Sequence, residues 1–548
     1  MNRTSTSPSA RTLTRRTTLA GLVALTGGAL AACGGGGDDG ADVSDKTTGA
    51  MKDFDAGTAF KATAPLTYTS LFSDQPTYPF KEDWLFWTAL QENTDVGLDF
   101  TIVPASDYEQ KRSLVVSAGD SPIIIPKTYP GQETPFVASG VVLPVSDYTD
   151  LMPHFRDQVE KWDLQSEVDT LRQKDGKYYV LPGLHEALWP DYTLIVRTDV
   201  FEKAGVPLPT SWAEVESALA AIKQANPDSI PFSDRYEGKS VLNYGAVAFG
   251  TVGGWGYGEG LQFDEDNDEF VFAAATDEYR SMVEYFAGLV SKGLMDPESF
   301  TQTDDAAQAK FTSGRSFVIS GNSQDPSVYR AQMDQSIGAG NYAISKIIVP
   351  SGPAGDLIGG SRLENGIMIS AKAAERDDFQ ALMQFIDWLF YSDEGREFAK
   401  WGVEGTTYTK DASGKRSLMP DINYTGLNPA GTKDLRIDYG FSQGNFSYGG
   451  STELLHSMMS EEELAFQEAM TAKTPVEPLP AHPYSQVEQE QITLLAKPLQ
   501  DFVDQSTLQF ITGQRSLADW DAYVGELEQR GSTRYLELVN KAYAEAKA

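Results

Sequence analysis

What most limits how this chain can fold is the character of its short apolar runs. Leu66 to Phe72 and Phe100 to Val103 are short strand-like runs, and Ile123 to Ile125 is apolar on consecutive residues rather than on every second one. Segments of helical spacing separate them. One carries Trp84 and Trp87 in its first turns; another runs from Tyr108 to Val116 and closes at Gly119. Strands without in/out alternation are covered on both faces, and strand–helix alternation makes that a parallel sheet between helices. Gly140 to Tyr148 reads as its continuation. Ser316–Ser320 and Gly366–Ser370 are further strands. Val215/Leu219/Ile222, Tyr279/Met282/Val283/Phe286/Val290 and Phe379/Leu382/Met383/Ile386/Leu389 each mark one helical face. At 548 residues the α/β chain is too long for a single core, so two domains are expected. Its end is helical: Ser485 and Glu488 form a capping box ahead of the stripe Ile492, Leu495, Leu499 and Phe502, and Trp520, Tyr523, Val524 and Leu527 form another.

One stretch departs from ordinary strand chemistry. Between Gly176 and Trp212 a Lys-Tyr-Tyr-Val-Leu-Pro run leads through His185, Trp189 and Tyr192 into the apolar strand Thr193–Val196, then Arg197-Thr198-Asp199 and a helix. Pro190 between two large aromatics removes a ladder donor, which suits a cleft wall better than a core strand.

The N-terminus reads as a processing segment over residues 1–32: Arg3, Arg11, Arg15 and Arg16 precede an apolar run, Leu19–Ala32, too short to span a bilayer. Arg15-Arg16 points to twin-arginine or Sec export. Leu30-Ala31-Ala32-Cys33-Gly34 has the form of a lipobox, so the chain's one Cys is expected to carry lipid and become the first mature residue. Residues 33–62 are then a disordered tether, rich in Gly, Asp, Thr and Ala. Cleavage removes four Arg and no acid, taking the formal charge from −34 to −38. Such a balance disfavours nucleic acid and anionic lipid as partners of the protein surface, which leaves the lipid as the only membrane contact. A single Cys excludes a disulfide framework or a multi-cysteine metal site.

Several fragments, in order, resemble the family 1 extracellular solute-binding proteins of ABC importers, close to their alginate-oligosaccharide branch. They are Ser117-Ala118-Gly119-Asp120-Ser121-Pro122, Gly176-Lys177-x-Tyr179 with Leu181-Pro182, Arg197-Thr198-Asp199, Phe385 to Gly395, Gly402-Val403-Glu404-Gly405-x-x-Tyr408, Phe510-Ile511-Thr512-Gly513 and Trp520-Asp521-x-Tyr523. The resemblance implies a type II two-lobe periplasmic-binding-protein-like fold, each lobe a sheet flanked by helices, with a helical C-terminal extension. It divides the chain into 63–188 plus 363–425 for the N-terminal lobe and 189–362 plus 426–548 for the C-terminal lobe. It further implies a monomer held on the extracellular face of the cell membrane, closing on a ligand about a hinge and docking on permease subunits.

A sugar offers edge hydroxyls and a weakly apolar C–H face, so its cleft needs flat aromatics with carboxylates, amides and Arg. Loops at the C-terminal ends of strands supply the candidates: Asp74, Trp84, His185, Trp189, Tyr192, Trp255, Tyr257, Tyr408, Phe446 and Tyr448. An oligosaccharide is therefore the expected ligand and no catalytic residue is expected. The rivals are a secreted glycoside hydrolase with a carboxylate pair, and an oligopeptide binder. No His-Glu-x-x-His, Gly-x-Ser-x-Gly or phosphate loop occurs, and no cofactor is expected. Members of this branch often carry a calcium loop before an Ile-Pro-Phe segment. Here Asn226-Pro227-Asp228-Ser229 is too short to wrap the ion, and Asp264/Asp266/Asp268 lacks the later Gly and Glu of a calcium loop, so no metal site is expected.

Overall fold

A computed structural model describes residues 41–547. The processing segment, Cys33 and the glycine run after it lie outside the described residues. In chain order the elements that build the molecule are β1 (Leu66–Asp74), α1 (Leu85–Thr94), β2 (Val96–Pro104), α2 (Tyr108–Ser117), β3 (Ile124–Thr128), β4 (Leu181–Leu184), β5 (Thr193–Arg197), α3 (Trp212–Ala225), α4 (Asp277–Ser291), β6 (Val318–Gly321), β7 (Ile344–Lys346), β8 (Leu363–Ile369), α5 (Phe379–Tyr391), α6 (Glu461–Met470), α7 (Gln486–Ile511), α8 (Trp520–Gln529) and α9 (Ser532–Lys547).

The first sheet has the order β2-β1-β3-β8-β4. β1 runs parallel to β2 and β3, Leu66 facing Val96 and Asp74 facing Pro104. β8 is antiparallel to both of its neighbours, so the sheet is mixed where the strand character alone predicted a parallel one. The cause is topological: β8 re-enters from the second body, against the direction of the strands that stayed. Gly140–Tyr148 does not extend the sheet. Val142 alone bridges Ser370, and Val145–Leu151 coils into a 3₁₀ helix. The second sheet, β6-β5-β7, is antiparallel throughout.

Each sheet has its own core. The first gathers Tyr68, Phe72, Phe86 and Ile124 against α5. Every residue of α5 except Gln380 is buried, as an apolar-all-round helix must be. Trp388 within it is 1% exposed, the packing role its spacing implied. The second core joins Leu194, Val196, Trp212 and Phe286 to α7, α8 and α9 through Val503, Tyr523 and Tyr535. α6 is fastened to β7 by a buried ion pair, Lys346 Nζ lying 2.9 Å from both oxygens of Glu463.

Two boundaries differ from the sequence reading. The tether expected to extend to residue 62 is packed over its second half: Met51 N donates to Gln384 Oε1 at 2.9 Å, Thr48 N to Asp377 O at 2.9 Å, and Phe60 is buried in the first core. Its composition is tether-like, but Met51, Phe54 and Phe60 supply enough apolar surface to dock. Leu435, Phe441, Phe446, Tyr448, Leu454 and Met458 also belong to the first core, so the chain returns to the second after Met458 and not at residue 426.

Candidate functional site

Three segments lie side by side on the first-core side of the place where the cores meet. His185, just past β4, pairs in parallel with Gly450 and donates its N–H to Arg362 O at 2.9 Å; Gly450 N donates to Leu184 O at 2.8 Å. This approach needs Gly449, whose φ is +56° and at which a Cβ would collide with Leu184 O. Glu364 binds the ribbon: its Oε2 is 2.7 Å from His185 Nε2 and accepts from Gly449 N at 2.9 Å. Burial opposes ionisation of Glu364, but the His185 ring, the Lys400 charge and the Gly449 N–H outweigh it and hold the carboxyl below the usual range.

Beside this ribbon opens a cavity of about 2370 Å³ lined by groups of both cores, among them Tyr78, Tyr236, Asn322, Asp325, Tyr424 and Arg436. On the second-core side Tyr236, which lines the cavity, belongs to an aromatic triad. The Tyr192 and Trp255 ring centroids are 5.2 Å apart, Tyr236 and Trp255 4.8 Å, and Tyr192 and Tyr236 6.3 Å. Trp255 is 44% exposed. It is lifted out by a 3₁₀ turn, Gly254–Tyr257, that only glycine could begin: at φ +54° a Cβ on Gly254 would overlap Lys239 O. Behind the triad, the Arg235 guanidinium sits 4.0 Å from the Tyr236 ring centroid and donates to Asp325 Oδ1 at 2.9 Å. Asn322 Nδ2 donates to Tyr192 Oη at 3.3 Å, so a hydroxyl-seeking edge borders the flat faces. On the first-core side Arg436 lies between Tyr78 and Tyr424, 4.7 and 5.1 Å from their ring centroids, and reaches across to Gln324 Oε1 at 3.2 Å.

The residues expected from sequence divide three ways. Tyr192 and Trp255 come together around Tyr236, which lines the cavity, while Trp189 lies apart from them with its ring 5.7 Å from that of His185. His185 and Asp74 have structural partners: His185 holds the crossing ribbon, and Asp74 Oδ1 accepts from Phe80 N at 2.7 Å, closing the loop that presents Tyr78. The other five are corrected, because their rings are already buried against protein. Trp84 is 0% exposed with Nε1 donating to Ile437 O; Tyr257 packs on Phe272 and Tyr279; Tyr408 packs on Trp401; Phe446 packs on Phe86 and Phe390; Tyr448 stacks on Phe390. Sequence reasoning missed Tyr78, Tyr236, Tyr424 and Arg436. The one local signal for Tyr236 was its place two residues after a buried Ser-Asp pair following Ile-Pro-Phe; its φ of +58°, which aims it outward, leaves no mark in the sequence.

The described residues contain no cluster of His, Cys, Asp or Glu able to hold a metal ion, and no helix among them is long and apolar enough to cross a membrane. The family model described as bacterial extracellular solute-binding protein matches residues 70–395. The fructooligosaccharide ABC transporter substrate-binding protein FusA of Streptococcus pneumoniae is 22% identical over 561 residues, covering 95% of this chain and 96% of FusA. Among solved structures, the alginate-binding protein AlgQ2 without calcium ion superposes with a TM-score of 0.69 at 17% identity, covering 89% of this chain and 99% of AlgQ2. FusA in complex with kestose superposes at 0.61 and 18% identity, covering 88% of this chain and 99% of that one.

Proposed function

The chain belongs to the bacterial extracellular solute-binding proteins, and from that premise we propose that it is the substrate-binding component of an ABC importer, taking up an oligosaccharide in the cavity between its two cores. The observation that carries this reading is the half-exposed Trp255 with Tyr192 and Tyr236 around it: flat apolar faces bordered by amide and carboxylate groups, the chemistry a sugar ring requires. The name and bound sugar of FusA support it.

In this proposal the N-terminal lobe comprises residues 43–185 and 362–458 and the C-terminal lobe residues 189–358 and 460–547, with the three crossings as the hinge. Ligand binds the closed arrangement better than the open one and shifts the population toward it. Cys33 carries the lipid that keeps the protein on the outer face of the membrane, beside the permease. The protein binds and does not cleave.

A thermal-shift panel of mono- and oligosaccharides and short peptides on the purified full-length chain tests the proposal, because a ligand of the native state raises the melting point by mass action. A shift with an oligosaccharide that is recovered intact after long incubation supports it. Cleavage of that sugar would move the chain to a hydrolase, and a response to peptides alone would replace the ligand class.

A further inference from the structure

Among the described residues, backbone strain gathers around the cleft. Eight residues other than glycine have positive φ, and three of these are Asp, which tolerates it. The remaining five are Lys127, Tyr236, Glu237, Thr425 and Ser442. Tyr236 and Thr425 line the cavity, and Ser442 donates to the Tyr424 hydroxyl at 2.9 Å. Lys127 has no turn to justify it. It lies within β3, at a φ of +54° that a long side chain gains nothing by adopting. Such strain persists where the surroundings impose it, and it collects at ligand sites.

The Lys127 ammonium lies beside the hydroxyl of Tyr78, a residue of the cavity lining. A Cβ on Gly444 would lie 3.2 Å from Lys127 Nζ and 3.3 Å from Tyr78 Oη, so the ammonium and the phenol converge over a bare glycine. Over the Tyr78 ring, 4.7 Å from its centroid, is the Arg436 guanidinium, which donates to Tyr424 Oη at 2.9 Å and to Gln324 Oε1 at 3.2 Å but leaves its buried Nε without a partner. Neither cation has a carboxylate within ion-pair distance among the described residues. Other cations lining the cavity are paired, Arg235 with Asp325, Arg330 with Glu462, Lys346 with Glu463 and Arg416 with Glu397, whereas Lys415, which has no ion pair among the described residues, is exposed to solvent. The nearest acid acting on Lys127 is Glu364, whose Oε2 is already held by His185 and Gly449. Two cations without counter-charge, in a chain with 78 acidic residues to choose from, mark a place reserved for an outside anion.

We propose that Lys127 and Arg436 receive an anionic substituent of the oligosaccharide, a carboxylate or sulfate ester on the ring, with Tyr78 and the Gly444 backbone completing the seat. The inference rests on the carbohydrate reading above and sharpens it. Burial lowers the Lys127 ammonium from its usual value and Arg436 lowers it further, with Glu364 opposing; a bound anion would relieve both costs. Arg436 also spans to Gln324 on the opposite wall, so an anion seated on it stabilises the cross-cleft contact that goes with closure.

The test is calorimetric titration of the full-length chain with three probes: an oligouronide ladder, the same ladder with its carboxyls reduced to primary alcohols, and a sulfated galactan ladder. Either the uronide or the sulfated ladder should bind at least ~10-fold more tightly than the neutral one, and the preference should shrink as salt is raised. The arm that binds identifies the anion. Lys127→Met and Arg436→Gln should each remove most of the preference for the anionic ladder. Lys127→Gly is the decisive variant, because glycine accepts the backbone conformation: it should melt no lower than wild type and still lose the preference. Equal or tighter binding of the reduced ladder, or a preference that survives in Lys127→Gly, overturns the proposal and leaves the carbohydrate reading intact. Silence in all arms overturns both.

Discussion

Replacing Trp255 by Ala separates ligand contact from packing more cleanly than any other change in the aromatic triad. The indole is 44% exposed, whereas the Trp84 and Trp388 side chains are sealed in the first core. A Trp side chain carries roughly 250 Å² of contact surface, so about 110 Å² of Trp255 remains for a ligand. A sugar ring covers one face, roughly half of that, and at ~25 cal/mol per Å² the loss on truncation is about 1.5 kcal/mol, close to tenfold in affinity. Unliganded stability should fall less, because what is lost is the edge contact with Tyr192 and the tilted contact with Tyr236, about 1 kcal/mol together at a solvent-facing site. The assay is a titration of wild type and Trp255→Ala with the oligosaccharide that gives the largest thermal shift, alongside urea unfolding of both without ligand. Unchanged affinity would refute the placement of the site at this triad. A stability loss exceeding the affinity loss would return Trp255 to a packing role.

Other consequences concern the frame that holds the triad. Lys346→Met leaves the Glu463 carboxylate buried without its counter-ion and should cost about 3–5 kcal/mol in urea unfolding, while adding Glu463→Gln should recover most of it. Asp199 accepts from Arg197 Nε at 2.8 Å, Arg197 Nη2 at 2.9 Å, Lys203 Nζ at 3.0 Å and Ala343 N at 3.2 Å; burial alone would raise its pKa, but these donors bring it down to about 2. A carboxyl depressed in the folded state gives stability that is full above its unfolded pKa and disappears as pH falls through the folded one. Asp199 should thus contribute about 2 kcal/mol above pH ~5, lost on acidification toward pH ~2, and Asp199→Asn should flatten that part of the stability profile. Calcium and EDTA should each leave the melting temperature unchanged; a saturable upward shift with calcium would contradict the reading of residues 226–229 as too short to wrap an ion.

The architecture was legible wherever it followed from periodicity and from fragments whose order carries information. Apolar runs gave the strands, the single-face spacing of Phe379 to Leu389 gave the helix at the heart of the first core, and Ser485 with Glu488 gave the capping box, which forms as spaced. The site was legible only in part, because exposure of an aromatic is decided by backbone conformation. Trp255 and Tyr257 share one glycine-rich loop, yet the 3₁₀ turn sends the first outward and the second into the core. The same holds for Lys127 and Tyr236, whose positive φ values are imposed by packing far away in sequence. Residues 426–458 were assigned to the other lobe for a related reason. They contain little regular structure, so neither period nor spacing reveals that Phe441, Phe446 and Tyr448 fill the first core.

The ribbon at His185 lies wholly within the first body of the proposed division, since Leu184, His185, Arg362, Glu364, Gly449 and Gly450 all fall there. Its hydrogen bonds therefore need not break when the second body moves, and the bending falls on the short segments beyond it, residues 186–188, 359–361 and 459. Two of those segments leave from paired backbones of one ribbon, so their first-body ends stay fixed with respect to each other. A cleft whose connections start from one fixed base has less orientational freedom for a ligand to remove when it brings the walls together.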